Sequence, residues 1–229
     1  MSNSGGNTVI RFPAADPSKV ETFKVGYNPS GLAIDSRGNV WVPNRLGNSE
    51  RGKTAYQQIQ QLGTALMESP LPPHAYWIWR EGSVTLLRPD GSEAPGSPFT
   101  GGGLPMPFAA AVDGNDNVWI SNFAGDHGRI AHLCGVRTET CPPGMKTGDQ
   151  ISPPGGYVGG GLESMTDIGV GPAGDVWVAD NWQLIDSCYL IPSDTSEALS
   201  TRCGGQGLTV FYGMAKPVRT PLIGPARAP

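Results

Sequence analysis

The stretch Gly31–Asn44, GLAIDSRGNVWVPN, occurs three times in this chain of 229 residues with modest changes. It returns as Ala109–Asn122, AAAVDGNDNVWISN, and as Asp167–Asp180, DIGVGPAGDVWVAD. Each copy has an apolar strand, a turn of four or five residues and a second strand of alternating character. Three related hairpins indicate a fold that is built from a repeated unit.

The turn residues of the three copies suit a tight antiparallel hairpin. Gly38 and Gly174 can adopt the positive φ that such turns need, and Asp116 is one of the few non-glycine residues that tolerate it. In the strand that follows, alternation places Trp41 on one face and the two flanking valines on the other. A strand that is apolar on both faces lies between two layers. We therefore expect the motif tryptophans to be equivalent core positions between sheets: Trp41, Trp119 and Trp177.

Further strand patterns accompany the hairpins. Ser83–Arg88, Arg129–Leu133 and Leu208–Tyr212 follow the three copies in turn. Thr8–Phe12 and Lys19–Val25 look like the two outer strands of a unit whose inner hairpin is absent. Two inner strands followed by two outer strands form the four-stranded antiparallel blade of a β-propeller. The predicted fold is therefore an all-β propeller with three recognisable inner hairpins and one orphan outer pair.

One segment interrupts the repeat. Residues 1–229 are expected to form a single propeller domain or a propeller fragment, and residues 46–73 an insertion within it that contains a short helix and ends in a proline-rich stretch. Such a helix either caps its own domain or contacts a partner. The residues proposed for partner contact are Tyr56, Ile59, Leu66 and Met67.

The four cysteines fall into two local pairs, Cys134 with Cys141 and Cys188 with Cys203. Local pairing into two disulfides is the simplest of three connectivities. Free thiols and a metal site are the alternatives, although neither pair has the Cys-x2-4-Cys spacing that zinc sites favour. Disulfides would place the protein outside the cytosol, so a periplasmic or extracellular location is expected. The first residues carry no signal peptide as they stand.

Composition excludes two classes of partner. The net charge is −4 and the basic residues are scattered, whereas a nucleic-acid-binding surface needs a concentrated basic stripe. No run of about 18 apolar residues occurs, so no membrane span is expected.

Few residues have the character of a functional site. Asp126 and His127 could form an acid–base pair or ligate a metal, or belong to a solvated loop. His132 lies in a strand and is expected to be packed or hydrogen-bonded. No cofactor is established, but a divalent cation, calcium or magnesium, could bind amide oxygens at the ends of the second strands. Those amides could equally bond to backbone; they belong to Asn44, Asn122 and Asn181.

The repeats resemble the NHL-repeat and streptogramin (virginiamycin B) lyase-like β-propellers, whose blades carry the signature PxGIAVDxxGNVWVAN. Pro29–Asn44 is a near match, the second copy is close, and the third has Gly171 where the signature has aspartate. The resemblance covers most of the chain and extends to bacterial exported members. Such propellers have six or seven blades. The chain would thus be a fragment, one of two joining copies, or a small four-bladed ring.

Two functions follow from these observations. The one that the sequence favours is a non-enzymatic binding or assembly module, because no catalytic set is recognisable and the blade count is incomplete. The alternative is a divalent-metal-dependent lyase or a lactonase-type hydrolase resembling streptogramin lyases, although the catalytic histidine that this resemblance implies has no motif here. Self-association or a partner protein is expected, because the orphan N-terminal strands should pair with the last hairpin or with another chain.

Overall fold

The structure is a computed structural model that describes residues 1–65, 81–101, 103–123, 128–182 and 204–218. Of residues 58–65, 181–182 and 204–206 it describes the backbone only. These residues are mostly β and form four small antiparallel sheets, none of which is closed. The helix within these ranges is neither long nor apolar enough to cross a membrane.

Sheets one and two contain the N-terminal half of the chain. In sheet one the strand order is β1 (Ser2–Asn3), β2 (Thr8–Arg11) and β3 (Glu21–Lys24). In sheet two it is β4 (Ala33–Ile34), β5 (Val40–Asn44) and β6 (Ser83–Leu87). Helix α1 (Glu50–Ala65) lies between β5 and β6 in the chain. It begins where the Ser49 hydroxyl accepts a hydrogen bond from the Gly52 amide, which is a helix N-cap.

Sheets three and four contain the other two copies of the motif. In sheet three the order is β7 (Pro107–Val112), β8 (Val118–Asn122), β9 (Arg129–Leu133) and β10 (Tyr157–Val158). In sheet four it is β11 (Ser164–Val170), β12 (Val176–Trp182) and β13 (Gly204–Phe211). Sheet three is thus the one with the predicted four strands, while the other three have three each. In sheet two, bridges from Val84 to Phe99 and from Leu87 to Glu93 take the place of a fourth strand.

A carboxylate holds the first hairpin together. Asp35 accepts hydrogen bonds from the backbone amides of Arg37 and Asn39 in the turn, and from the indole Nε1 of Trp41 at 3.1 Å. Gly38 has a φ of 78°, as the turn requires. One aspartate therefore caps the turn and also satisfies the indole donor of the buried tryptophan.

The second copy repeats this arrangement and the third changes it. Asp113 accepts two turn amides and Trp119 Nε1 at 3.3 Å. Asp116 has a φ of 61°, so the prediction of a left-handed residue there is confirmed. In the third copy Gly171 stands at the aspartate position. A Cβ atom built on it would lie 3.2 Å from Trp177 Nε1. The indole therefore keeps its position beside the turn although the carboxylate is absent.

Consecutive sheets stack through opposite faces of their second strands. The clusters that fill the three interfaces contain Val9, Val42 and Leu87 between sheets one and two; Trp41, Val118 and Ile120 between sheets two and three; and Trp119, Val176 and Val178 between sheets three and four. In the last two interfaces, the tryptophan of one sheet meets the branched aliphatic face of the next. Gly31 allows the close approach, because a Cβ there would lie 2.9 Å from the Ala109 Cα.

The expectation that the three tryptophans are equivalent is wrong for Trp177. Trp41 and Trp119 are 0% exposed, whereas Trp177 is 43% exposed. The reason is its position on the last sheet, since no sheet in the described part of the chain packs on the face that carries it.

Of the two pairings expected for the N-terminal strands, the one with the last hairpin does not form in the described part of the chain, and the one with another chain stays a prediction. Strands β2 and β3 pair with each other, and β2 pairs with β1, which the sequence did not reveal. Val9 and Phe23 face one another across this pair and pack on sheet two. Burial of that apolar face makes sheet one a separate end layer of the stack.

These contacts predict unequal effects of tryptophan substitution. Trp41→Ala and Trp119→Ala should each lower the free energy of unfolding by about 3–5 kcal/mol, because each leaves a cavity between two sheets. Trp177→Ala should cost about 1 kcal/mol, because its side chain is partly in solvent already. Urea unfolding followed by circular dichroism measures all three, and three equal losses would contradict the stacking order.

Candidate functional site

Three polar side chains occupy the same place in three sheets, three residues after the motif tryptophan. They are Asn44, Asn122 and Asp180, and all are fully buried. Strand alternation places each on the same face as the two aliphatic residues of its strand, toward the preceding sheet. The sequence suggests Asn181 as the third member, but the position three residues after Trp177 is Asp180. Asn181 lies one residue further along β12, and its side chain is not among those that the structure describes.

The amide of Asn44 is oriented by two hydroxyl groups. Its Nδ2 donates to Ser83 Oγ at 3.1 Å and to Thr85 Oγ1 at 2.9 Å. Both acceptors lie on the neighbouring strand β6. The amide oxygen, Oδ1, is buried and has no hydrogen-bond partner among the residues described.

Asn122 is oriented in the same way by backbone carbonyls. Its Nδ2 donates to the carbonyls of Gly103 and Arg129, both at 2.9 Å. Its Oδ1 is likewise buried without a partner in the described ranges. A buried carbonyl oxygen without a partner is unfavourable, and two at equivalent positions need a common explanation.

Asp180 provides the only formal charge of the three. Its Oδ1 accepts a hydrogen bond from the backbone amide of Glu163 at 3.1 Å, and its Oδ2, like the Oδ1 atoms of Asn44 and Asn122, is buried without a partner among the described residues. Burial raises the pKa of Asp180, the hydrogen bond from the Glu163 amide opposes the rise, and the negative charge of the Glu163 carboxylate adds to it.

Two contacts connect the positions of Asn44 in sheet two and Asn122 in sheet three. Asn44 forms a β-bridge with Pro29, and the next residue, Ser30, donates its hydroxyl to the carbonyl of Phe108. Phe108 belongs to the start of β7, which pairs with Asn122 at the end of β8. The ends of β5 and β8 therefore lie on one side of the stack.

The same side continues into sheet four. Phe123, which follows β8, accepts a hydrogen bond from Ser164 Oγ at 2.8 Å. Ser164 begins β11, and the next residue, Met165, pairs with Asp180. All three buried oxygens are therefore carried on the side where the second strands end.

His132 is packed, as the sequence suggested. Its ring stacks on Trp119 with centroids 3.9 Å apart, and its Nε2 lies 3.9 Å from the Asp113 carboxylate. Burial lowers the pKa of His132 from 6.5 to about 4, while the Asp113 carboxylate opposes part of that shift. A neutral imidazole between two sheets supports packing rather than proton transfer.

The first predicted disulfide is confirmed, with Cys134 bonded to Cys141. The bond is compatible with a location outside the cytosol. The loop that it closes contributes Thr138 to an open cleft of about 620 Å³, which is lined by residues 95–96, 98–100, 138 and 145–149.

Several predicted site residues fall outside what the structure describes. They are Asp126, His127, Leu66, Met67, Cys188 and Cys203, together with the side chain of Ile59. Tyr56 is described, and it contacts this chain itself. Its ring stacks on Tyr27 at 5.9 Å and its hydroxyl donates to the Gly5 carbonyl.

Sequence reasoning missed Asp180 and the two turn aspartates. Alignment of the three copies carries the signal for Asp180, because the signature asparagine is replaced by aspartate in the third. Within the described ranges, no three histidine, cysteine or acidic side chains form a metal-binding group. The candidate site depends instead on two neutral amides and one carboxylate.

No protein-family model matches the chain, and no curated protein matches it in sequence. Among solved structures, it is similar to a structural-genomics target assigned as a gluconolactonase, with 13% identity, 78% of this chain and 52% of that chain covered, and a TM-score of 0.43. It is also similar to a luciferin-regenerating enzyme, with 15% identity, coverage of 92% and 55%, and a TM-score of 0.36. A third is PorZ, a bacterial surface component of the type-IX secretion system of Porphyromonas gingivalis, with 21% identity, coverage of 72% and 21%, and a TM-score of 0.38. The chain spans about half the length of the first two and a fifth of the third, and likenesses at this level carry no argument about activity.

The environment of His132 predicts a pH-dependent stability. Between pH 6.5 and 4 the unfolded chain protonates this histidine while the folded protein does not, so folding weakens as the pH falls. The loss should total about 3 kcal/mol across that window and be absent above it. Urea unfolding at pH 7.5 and pH 5 measures it.

The matched variant is His132→Phe, which keeps a ring against Trp119 and removes the titrating group. Its loss of stability from pH 7.5 to 5 should be smaller than that of the parent by about 2 kcal/mol. Equal losses in the two proteins would mean that His132 is not the group responsible.

Proposed function

We propose that the chain forms consecutive blades of a β-propeller and binds a divalent cation on the side where the second strands end. We further propose that it uses the cation as a hydrolase of the lactonase type. The observation that carries the proposal is the set of three equivalent, buried oxygens without partners, Asn44 Oδ1, Asn122 Oδ1 and Asp180 Oδ2.

The donor set fits a hard cation. Calcium and magnesium prefer carboxylate and amide oxygens, and the three oxygens belong to those two classes. The hydrogen bonds from each asparagine Nδ2 fix the amide, which identifies Oδ1 as the free end. The three side chains resemble metal ligands whose other polar atoms already form the hydrogen bonds that orient them.

The charge of Asp180 fits the same role. Burial raises its pKa, which is a cost to the ionised form. A cation beside Oδ2 would offset that cost and hold the carboxylate ionised. Among the three donors, Asp180 would therefore contribute most of the electrostatic attraction.

A bound divalent cation would polarise an ester or lactone carbonyl, which is the chemistry that this class of site supplies. The residues of the chain would hold the cation and keep its ligands oriented. Ser83 and Thr85 position the amide of Asn44, and the Gly103 and Arg129 carbonyls position the amide of Asn122. The other candidate function, an assembly module without catalysis, is favoured by the exposed Trp177 rather than by these oxygens.

Cation binding is the direct test. Isothermal titration of the protein with calcium and, separately, with magnesium should give saturable binding of at least one ion, and that ion should raise the melting temperature. Asp180→Asn should weaken binding about tenfold or more, because it removes the only charge among the donors. Asn122→Leu should also weaken it.

The control is Asp90→Asn, which removes a carboxylate from an exposed turn and should leave binding unchanged. Hydrolysis of simple lactones and aryl esters, with and without a chelator, tests the reaction separately. Absence of binding at millimolar calcium and magnesium would refute the cation site. Binding without chelator-sensitive hydrolysis would refute only the hydrolase.

A further inference from the structure

We propose that the Trp177 face of sheet four is a docking surface for a second copy of this chain, which covers it with the outer face of its own sheet one. The Trp177 face consists of the side chains that share one side of β11, β12 and β13: Asp167, Gly169, Trp177, Ala179, Leu208 and Val210. The inference does not depend on the proposed cation or on catalysis.

The Trp177 face is apolar and accessible. Trp177 is 43% exposed and Leu208 is 66% exposed, and Tyr212, which follows β13, is 80% exposed. Two large aliphatic and aromatic side chains on one sheet face, with a third beside them, are unusual on a surface that contacts only water. Gly169 lies opposite Trp177 and leaves space beside the indole ring, because nothing lies within 4 Å of a Cβ built there.

The surface continues an interface that the chain already forms twice. The tryptophan faces of sheets two and three are each covered by the next sheet, which presents branched aliphatic side chains. Trp177 is the third tryptophan in that series and occupies the equivalent strand position. The chemistry that fits it is therefore a second apolar β-sheet face rather than a helix or a small ligand.

The other end of the stack offers a sheet face of mainly β-branched residues with exposed apolar side chains at its margin. The outer face of sheet one, called here the Ile10 face, carries the side chains of β2 and β3 that point away from sheet two: Thr8, Ile10, Thr22 and Lys24. Phe12 and Val20 lie just beyond the strand ends and are 40% and 54% exposed. Apolar and β-branched residues thus remain accessible on both end sheets of one chain.

The two end faces are unlike, and their charges are opposite. Asp167 is exposed on the Trp177 face, whereas Lys24 is exposed on the Ile10 face. Two Trp177 faces packed against each other would bring like charges together, but a Trp177 face packed on an Ile10 face would not. The geometry therefore points to a head-to-tail contact between copies, in which each copy uses two different surfaces.

Sedimentation velocity over a range of protein concentrations tests the contact with the 229-residue chain. The parent should associate as its concentration rises. Trp177→Gln should raise the dissociation constant about tenfold or more, and so should the double variant Phe12→Ser/Val20→Thr, because each removes one of the two surfaces. Circular dichroism checks that both remain folded, as expected for exposed positions. Val158→Thr is the matched control, since Val158 is 60% exposed at the edge of sheet three and should not matter.

Mixing the two deficient variants identifies the geometry. Each retains the surface that the other has lost, so an equimolar mixture should form a one-to-one dimer although neither variant associates alone. If Trp177→Gln abolished association while the Phe12→Ser/Val20→Thr variant still associated, and mixing did not restore association of Trp177→Gln, the contact would join two Trp177 faces. That result would overturn the proposal. A parent that stays monomeric at all concentrations, or an equal loss in Val158→Thr, would also overturn it.

Discussion

The hydrogen bond that a buried indole donates to a motif aspartate is the interaction on which the stack of sheets depends. Asp35 and Asp113 each satisfy two turn amides and the Nε1 donor of a tryptophan that lies between two sheets. Without that carboxylate, a buried indole N–H would have no acceptor, which costs about as much as a buried hydrogen bond is worth. The turn and the interface are therefore stabilised by the same group. The third copy supports this view, because Gly171 removes the carboxylate and the tryptophan concerned is the exposed one, whose N–H can bond to water.

Local features were predictable because they are encoded within a few residues. The three hairpins, the positive φ at Gly38, Asp116 and Gly174, and the bond between Cys134 and Cys141 all follow from residue type and short spacing. The mostly β architecture follows as well, because alternating apolar residues between turns require sheets. In each case the neighbours that decide the conformation are close in the chain.

Features that depend on distant neighbours were not predictable. The exposure of Trp177 depends on which sheet follows, and its own strand is as apolar as those of Trp41 and Trp119. The separate N-terminal sheet depends on β1, a two-residue strand too short to give a pattern. The candidate site was predictable only in part: Asn44 and Asn122 were recognised from the repeat. The partnerless state of their oxygens arises from the orientation of amides by groups far away in sequence, such as Ser83 and Gly103.

Alternation along the second strand separates the two proposed roles. In β12, Val176, Val178 and Asp180 share the face toward sheet three, whereas Trp177 lies on the opposite face. The aliphatic pair packs on the preceding sheet and so buries the polar residue that follows it, which explains why each donor oxygen is removed from water. The Trp177 face carries none of the three buried oxygens, so a sheet can pack on it without contacting them. A second copy on Trp177 would therefore leave Asp180 in place, since a contact with one face of a strand need not move the side chains of the other.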